Sequence, residues 1–291
     1  MRDDRLTELI STRVHRPGAV AEAAAARRRP SSLLGEHGKL MMIACDHPAR
    51  GAVRVGDRAL AMGDRIELLD RLCLALSRPG VNGVLGTPDV LEDLLLLGAL
   101  DDKVVIGSMN RGGLAGTAFE IDDRFTAYDA AGIAASGFDG GKMLTRIDPD
   151  DPGTVATLAA SGRAVSELAG HRLMAMVEPF ISHRVDGRVR NELTAEAMIR
   201  AMGVAAGLGN TSAYSWLKVP IVPDMERVMA ATTLPSLILG GEVTGDQDAA
   251  LNSWSKALTL PAVQGLVIGR SLLFPPDDDV AAAVDAAVSL L

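Results

Sequence analysis

Ala213-Tyr-Ser-Trp-Leu-Lys-Val-Pro220 is a short run of strand-forming residues, closed by a proline, with one lysine inside it. An ammonium in such a run is costly unless it is paired or reaches water. The chain has only five lysines: Lys39, Lys103, Lys142, Lys218 and Lys256. Lys218 therefore either snorkels from a strand end to solvent or belongs to a site. The pattern on either side of it decides between the two.

Seven other runs of the same kind surround it. They are LMMIACD (40–46), VNGVLG (81–86), VVIGSM (104–109), FDGGKML (138–144), RLMAMVE (172–178), SLILGG (236–241) and GLVIG (265–269). Helix-like patterns separate them: Gly63–Ser77, Ile121–Ser136, Gly153–Ala169, Thr194–Gly207, Asp224–Thr232 and Gln247–Ala257. Strands four to eight recur at roughly 20- to 40-residue intervals, as repeated βα units require. Eight such units predict a closed (β/α)8 barrel. A doubly wound open sheet would show a glycine fingerprint after its first strand, and CDHPARG is not one. The apolar tail Val280–Leu291 reads as the closing helix, and Asp277, Asp278 and Asp279 suit its N-terminus. Residues 1–38 read as an N-terminal helical extension to a barrel domain at 39–291. The extension holds a helix near Asp3–Ser11 and an Ala/Arg-rich run ending at Pro30. Its basic patch, Arg27 to Arg29, reads as a solvated helix end.

Composition bounds the partners. Net charge is −8, with no basic stripe for nucleic acid. No apolar run is long enough to span a bilayer, and the N-terminus lacks the apolar core of a signal peptide. A cytoplasmic protein is expected. Cys45 and Cys73 imply no disulfide framework, and alternation makes Cys45 a core residue facing away from Asp46. Five histidines, only His47 and His183 of them near strand ends, argue against a metal site, so no metal and no cofactor are expected.

A barrel places its chemistry at the carboxyl ends of its strands. Polar residues gather there: Asp46-His47 after the first strand, and Ser108 to Arg111 after the third. Lys142 lies on the fourth, Glu178 ends the fifth, and Lys218 is near the end of the sixth. Gly240-Gly241-Glu242 ends the seventh and Gly269-Arg270 the eighth. Two lysines and two carboxylates facing one cavity suit imine chemistry. A lysine attacks a carbonyl only as the neutral amine. A second ammonium about 4 Å away is worth up to ~4 kcal/mol at an effective dielectric of ~20, enough to lower its pKa by up to about three. In this reading Lys218 forms the imine and Lys142 lowers its pKa or orients the substrate. Glu178 shuttles protons. Asp46 takes the proton of a substrate hydroxyl or fixes Lys142. The alternative is a buried Lys142–Glu178 ion pair with a structural role. Gly240, Gly241, Gly269 and Arg270 read as a phosphate-binding pair of loops, and His47 as a neutral hydrogen-bonding contact to substrate. The polar loop 181–190 (ISHRVDGRVR) is a candidate lid, or simply a solvated loop.

These motifs (ACDHP, GGKML, MVEPF, WLKVP, LGGE and IGRS, in order over residues 39–291) resemble the class I aldolase superfamily. That superfamily includes deoxyribose-phosphate, archaeal-type fructose-bisphosphate and tagatose-bisphosphate aldolases. More narrowly the chain is similar to an actinobacterial aldolase-like group linked to inositol catabolism. The resemblance implies a lyase that cleaves or forms a C–C bond of a small phosphorylated sugar through a Schiff base. It implies Asp46, Lys142, Glu178 and Lys218 as the catalytic set and a homo-oligomer as the assembly. The archaeal type uses a tyrosine near the fourth strand, and FDGGKML has none. Three other readings stay open: a related acyl or ketol transferase using the same lysine, a metal-dependent aldolase, and a non-catalytic barrel.

Overall fold

The computed structural model describes residues 3–35, 37–241 and 247–291. Among these residues nine strands form: β1 (Leu40–Cys45), β2 (Gly83–Gly86), β3 (Val104–Ser108), β4 (Gly140–Ile147) and β5 (Met174–Val185), then β6 (Arg188–Asn191), β7 (Ser215–Val219), β8 (Ser236–Leu239) and β9 (Val263–Ile268). The sheet runs β4-β3-β2-β1-β9-β8-β7-β5, and β4 pairs with β5 to close it. All eight of these pairings are parallel. The molecule is thus a closed (β/α)8 barrel in which all eight expected strands are present.

Strand alternation explains both sides of the wall. Leu40, Met42 and Ala44 point into the lumen with Leu85, Val104, Ile106, Met174, Met176, Leu237 and Val267. Met41, Ile43 and Cys45 point outward and pack with the surrounding helices. Carrying the inward parity one pleat further along four strands reaches Asp46, Ser108, Lys142 and Glu178, and on β7 it passes through Trp216 to Lys218. The apolar layers lie beneath, and the polar layer sits at the carboxyl end. Leu33 and Leu34 pack against the lumen's apolar cluster. Lys39 and Lys103 donate to the carbonyls of Val263 and Val81, so neither is spare for chemistry.

Helices Asp3–His15 and Ala19–Ala26 precede the barrel. Of the basic run after them, Arg27 is docked, whereas Arg28 and Arg29 keep more than half of their side chains in solvent, as expected. Arg27 is buried and donates to the carbonyls of Lys103 (2.8 Å) and Gly137 (2.6 Å). Arg28 pairs with Asp101 and Asp102, and Arg29 with Asp139. The acids on the loops before β3 and β4 were not visible as partners in a one-dimensional reading.

Two further stretches differ from expectation. Helix forms only over Ala130–Ala135, not from Ile121, because residues 109–126 fold across the carboxyl end of β4. Asn110 bonds both the N–H and the carbonyl of Leu144, and Phe125 bridges back to Asn110. Residues 181–191 form a hairpin between the end of β5 and β6. Asp186 and Gly187 turn it with φ of 50° and 74°, the two left-handed residues of a type I′ turn. The closing helix is Val280–Val288, capped by the Asp279 carboxylate, which accepts from the Ala282 N–H.

Candidate active site

The carboxyl end of the barrel holds a continuous line of alternating charge. Lys218 Nζ lies 3.0 Å from Glu178 Oε1. Glu178 Oε2 lies 2.6 Å from Lys142 Nζ, which is 3.1 Å from Asp46 Oδ2. The structure therefore brings the four residues together from β1, β4, β5 and β7. Glu178 stands between the two lysines, so Lys142 is flanked by two carboxylates rather than set against Lys218 alone. All four are buried, Lys142 to 2% exposure.

Two residues missing from the expected set complete the line. Asp46 Oδ2 accepts from Ser108 Oγ at 3.0 Å and pairs with Arg111 Nη1, also at 3.0 Å. Arg111 Nη1 also donates to the Asp46 carbonyl. The strand-end rule did point to 108–111. That Arg111 turns back onto β1 depends on the fold of the 109–126 loop, which the sequence does not display.

Burial and neighbours set the protonation states. Burial pulls the Lys142 ammonium down to about 8; Arg111 and Lys218 act the same way, and Asp46 and Glu178 oppose them. Burial would raise the Glu178 carboxyl, but Lys142 and Lys218 together bring it down to about 2. Asp46 is likewise held well below the carboxylate range: burial opposes, and Arg111 and Lys142 prevail. His47 is lowered to about 3 by burial, with Arg270, Lys218 and Lys142 adding to the effect, so its ring is neutral. Its Nδ1 lies 3.8 Å from Asp46 Oδ1 and has no hydrogen-bond partner.

Gly269 and Arg270, two of the expected phosphate residues, lie beside His47. Gly241, after β8, takes φ of 70°, open to glycine and strained for other residues. A Cβ on Gly269 would collide with the Ala44 carbonyl oxygen and stand 3.2 Å from the His47 ring, so backbone and imidazole meet there only because the residue is glycine. Among the described residues Arg270 Nε and Ser271 Oγ are buried without a partner, and a Cβ on Gly240 would lie 3.3 Å from Ser271 Oγ. Ser271 is a third residue missing from the expected set. Glu242 lies outside the described residues. His183 sits on the hairpin, 3.4 Å from Glu192, and takes no part in the cluster. Neither tyrosine does: Tyr214 precedes β7 at its amino end, and Tyr128 packs edge-on to Phe138. Among the described residues no group of three or more His, Cys, Asp or Glu is placed to hold a metal, and no helix is long and apolar enough to cross a membrane.

Fold and site together define a (β/α)8 barrel with a buried lysine–carboxylate line at its carboxyl end. Residues 38–288 match the Cgl0159-like family, and the chain belongs to it. It is similar to the crystal structure of Cgl0159 from Corynebacterium glutamicum (Brevibacterium flavum), at 53% identity and a TM-score of 0.97 over 100% of this chain and 97% of that one. An archaeal fructose 1,6-bisphosphate aldolase matches at 18% identity and a TM-score of 0.64, over 93% and 98% of the two chains. A second archaeal fructose-1,6-bisphosphate aldolase structure has its catalytic Lys covalently bound to the carbinolamine intermediate of the substrate. It matches at 18% identity and a TM-score of 0.62, over 93% and 98%. At that identity the likeness to the aldolases is one of fold. No functionally curated protein matches the chain.

Proposed function

We propose that this protein is a class I aldolase that makes or breaks a C–C bond of a small phosphorylated sugar through an imine on Lys218. One observation carries the reading: a buried lysine amine, 3.0 Å from a carboxylate that also touches a second buried lysine. Glu178 takes the Lys218 proton, freeing the amine to attack the substrate carbonyl. The carbinolamine then loses its hydroxyl as water. The proton that Glu178 took from Lys218 goes to the departing hydroxyl, and Lys142, 2.6 Å away, stabilises the carboxylate this regenerates. In cleavage, Asp46 Oδ1 accepts the proton of the substrate hydroxyl and the C–C bond breaks. Its electron pair enters the iminium to give an enamine on Lys218. Protonation of the enamine and hydrolysis of the imine release the second product. With no phenol in the cluster, the proton relay falls to the Lys142–Glu178 pair.

The substrate phosphate is assigned to the Gly240–Gly241 and Gly269–Ser271 loops, where Arg270 Nε and Ser271 Oγ have no partner among the described residues. The inositol or deoxy-sugar setting is what the family resemblance implies for the pathway.

Borohydride trapping with a panel of phosphorylated sugars and small carbonyl compounds tests the reading. A reduced adduct on the Lys218 peptide is expected, and it should be absent in Lys218→Met. An adduct on Lys142 would exchange the lysines' roles. No adduct from folded protein with any carbonyl would overturn the imine mechanism.

A further inference from the structure

Beyond the lysine line lies a second buried cluster, across the barrel mouth from the glycine loops. Arg146 is two pleats past Lys142 on the same face of β4. It pairs with Glu120 Oε1, which Arg50 also reaches at 2.9 Å. Arg50 donates to the Gly113 carbonyl at 3.1 Å, and Asp123 accepts from the Gly113 N–H at 2.8 Å. Arg111 pairs with Asp46 and is near enough to Asp123 to favour its carboxylate.

The network is not closed. Among the described residues, Arg146 Nε and Nη2 and Arg111 Nη2 are buried with no hydrogen-bond partner, on side chains each 4% exposed. Asp123 Oδ2 is 3.8 Å from Arg146 Nη2, too far for a bond, and is also without one. Buried guanidinium N–H groups in a finished structural network have acceptors. Charge tells the same story. Among the described residues the five basic side chains Arg50, Arg111, Arg146, Lys142 and Lys218 pair with four carboxylates, Asp46, Glu120, Asp123 and Glu178. Burial raises the Asp123 carboxyl, which weakens its hold as a counter-ion.

We infer that Arg111 and Arg146 form a second anion seat, which takes a carboxylate or phosphoryl group at the end of the substrate remote from the Gly240/Gly269 loops. This rests on the proposed aldolase reading and narrows it to substrates with an anionic group at each end. The strand order supports the placement. Around the closed barrel β4 lies opposite β9 and β3 opposite β8, with Glu178 on β5 and Lys218 on β7 along the rim between them. A chain anchored at both seats lays its middle carbons over Lys218. Glu120 is the built-in competitor: its carboxylate already occupies Arg50 and Arg146.

The test uses probes that have no carbonyl and so cannot form an imine. Straight-chain bisphosphonates and phosphonocarboxylates with about three to six methylenes, and monophosphonates of equal length, are titrated calorimetrically into the intact protein. The best doubly anionic probe should bind at least about ten-fold tighter than its monophosphonate, the scale of a charge-assisted bond to a buried guanidinium. Arg146→Met should abolish that advantage while leaving monophosphonate affinity alone. Glu120→Gln should raise the affinity for the doubly anionic probe several-fold, whereas a purely structural ion pair predicts weaker or unchanged binding. Whether phosphonocarboxylate or bisphosphonate binds more tightly identifies the second group. Equal affinity for mono- and doubly anionic probes, or no gain in Glu120→Gln, would overturn the seat, and Glu120→Gln decides the matter if Arg146→Met fails to fold. Failure to trap Lys218 with borohydride while these affinities hold would sink the imine and leave the seat standing.

Discussion

Glu178 is the residue on which the site turns, because each of its oxygens holds a different lysine. Buried ion pairs are weak stabilisers as a set, but removing one member strands the others. Lys142→Met should therefore cost about 3 kcal/mol or more of unfolding free energy in urea titrations, leaving Asp46 and Glu178 short of a cation. Lys142 also sets a pH dependence. Its folded value is about 8 against an ordinary 10.5, so between those limits the unfolded chain binds the extra proton. Stability contributed by this residue rises with pH across that window, and Lys142→Met should flatten the rise. His47 acts in the acid range. Its folded value is about 3 against an ordinary 6.5, so the unfolded chain binds the extra proton and stability falls as the pH drops through that window. About a quarter of the His47 side chain meets solvent, which makes the fall shallower. His47→Gln should remove it, as read from urea midpoints between pH 7 and pH 5, above the range in which Glu178 titrates. Gly269→Ala should destabilise the fold more than Gly241→Ala, since only the first collides with backbone, at the Ala44 carbonyl.

At the scale of elements, alternation made the site legible. The parity that sends Leu40, Met42 and Ala44 inward also carries Asp46 to the lumen and Cys45 to the outer core. What alternation could not show was the 109–126 segment. Its stretch from Ile121 has helical composition, yet its backbone is held by Asn110, Arg124 and Thr157 contacts that form only in the folded barrel. The hairpin at 181–191 had a sequence cue, Asp186-Gly187 between strand-like residues, that was outweighed by its polarity. Gly187→Val should cost about 1–2 kcal/mol locally, because φ of 74° is poor for a β-branched residue. Hydrogen exchange should show faster amides over 182–191 and an unchanged barrel.

For the whole molecule, the N-terminal extension is a clasp rather than an appendage. Arg27 reaches three carbonyls and lies 5.8 Å from the Phe138 ring centroid, tying the extension to the loops before β3 and β4. Arg27→Ala should cost about 3 kcal/mol, because buried carbonyls lose a charged donor. On this chain size that is a fall in Tm of roughly 6–12 °C by calorimetry, with borohydride trapping at Lys218 unaffected. The sequence by itself determined the eight strands, their faces and the four charged residues at their ends. Those follow from periodicity and polarity, which are local and readable along one dimension. Tertiary structure alone decided which charge meets which: Glu178 between the lysines, Arg111 on Asp46, Arg146 under Glu120, and Arg27 beneath the barrel. Ion pairs depend on distances across strands that only barrel closure brings together, and on loops whose course is set by contacts far away in the chain.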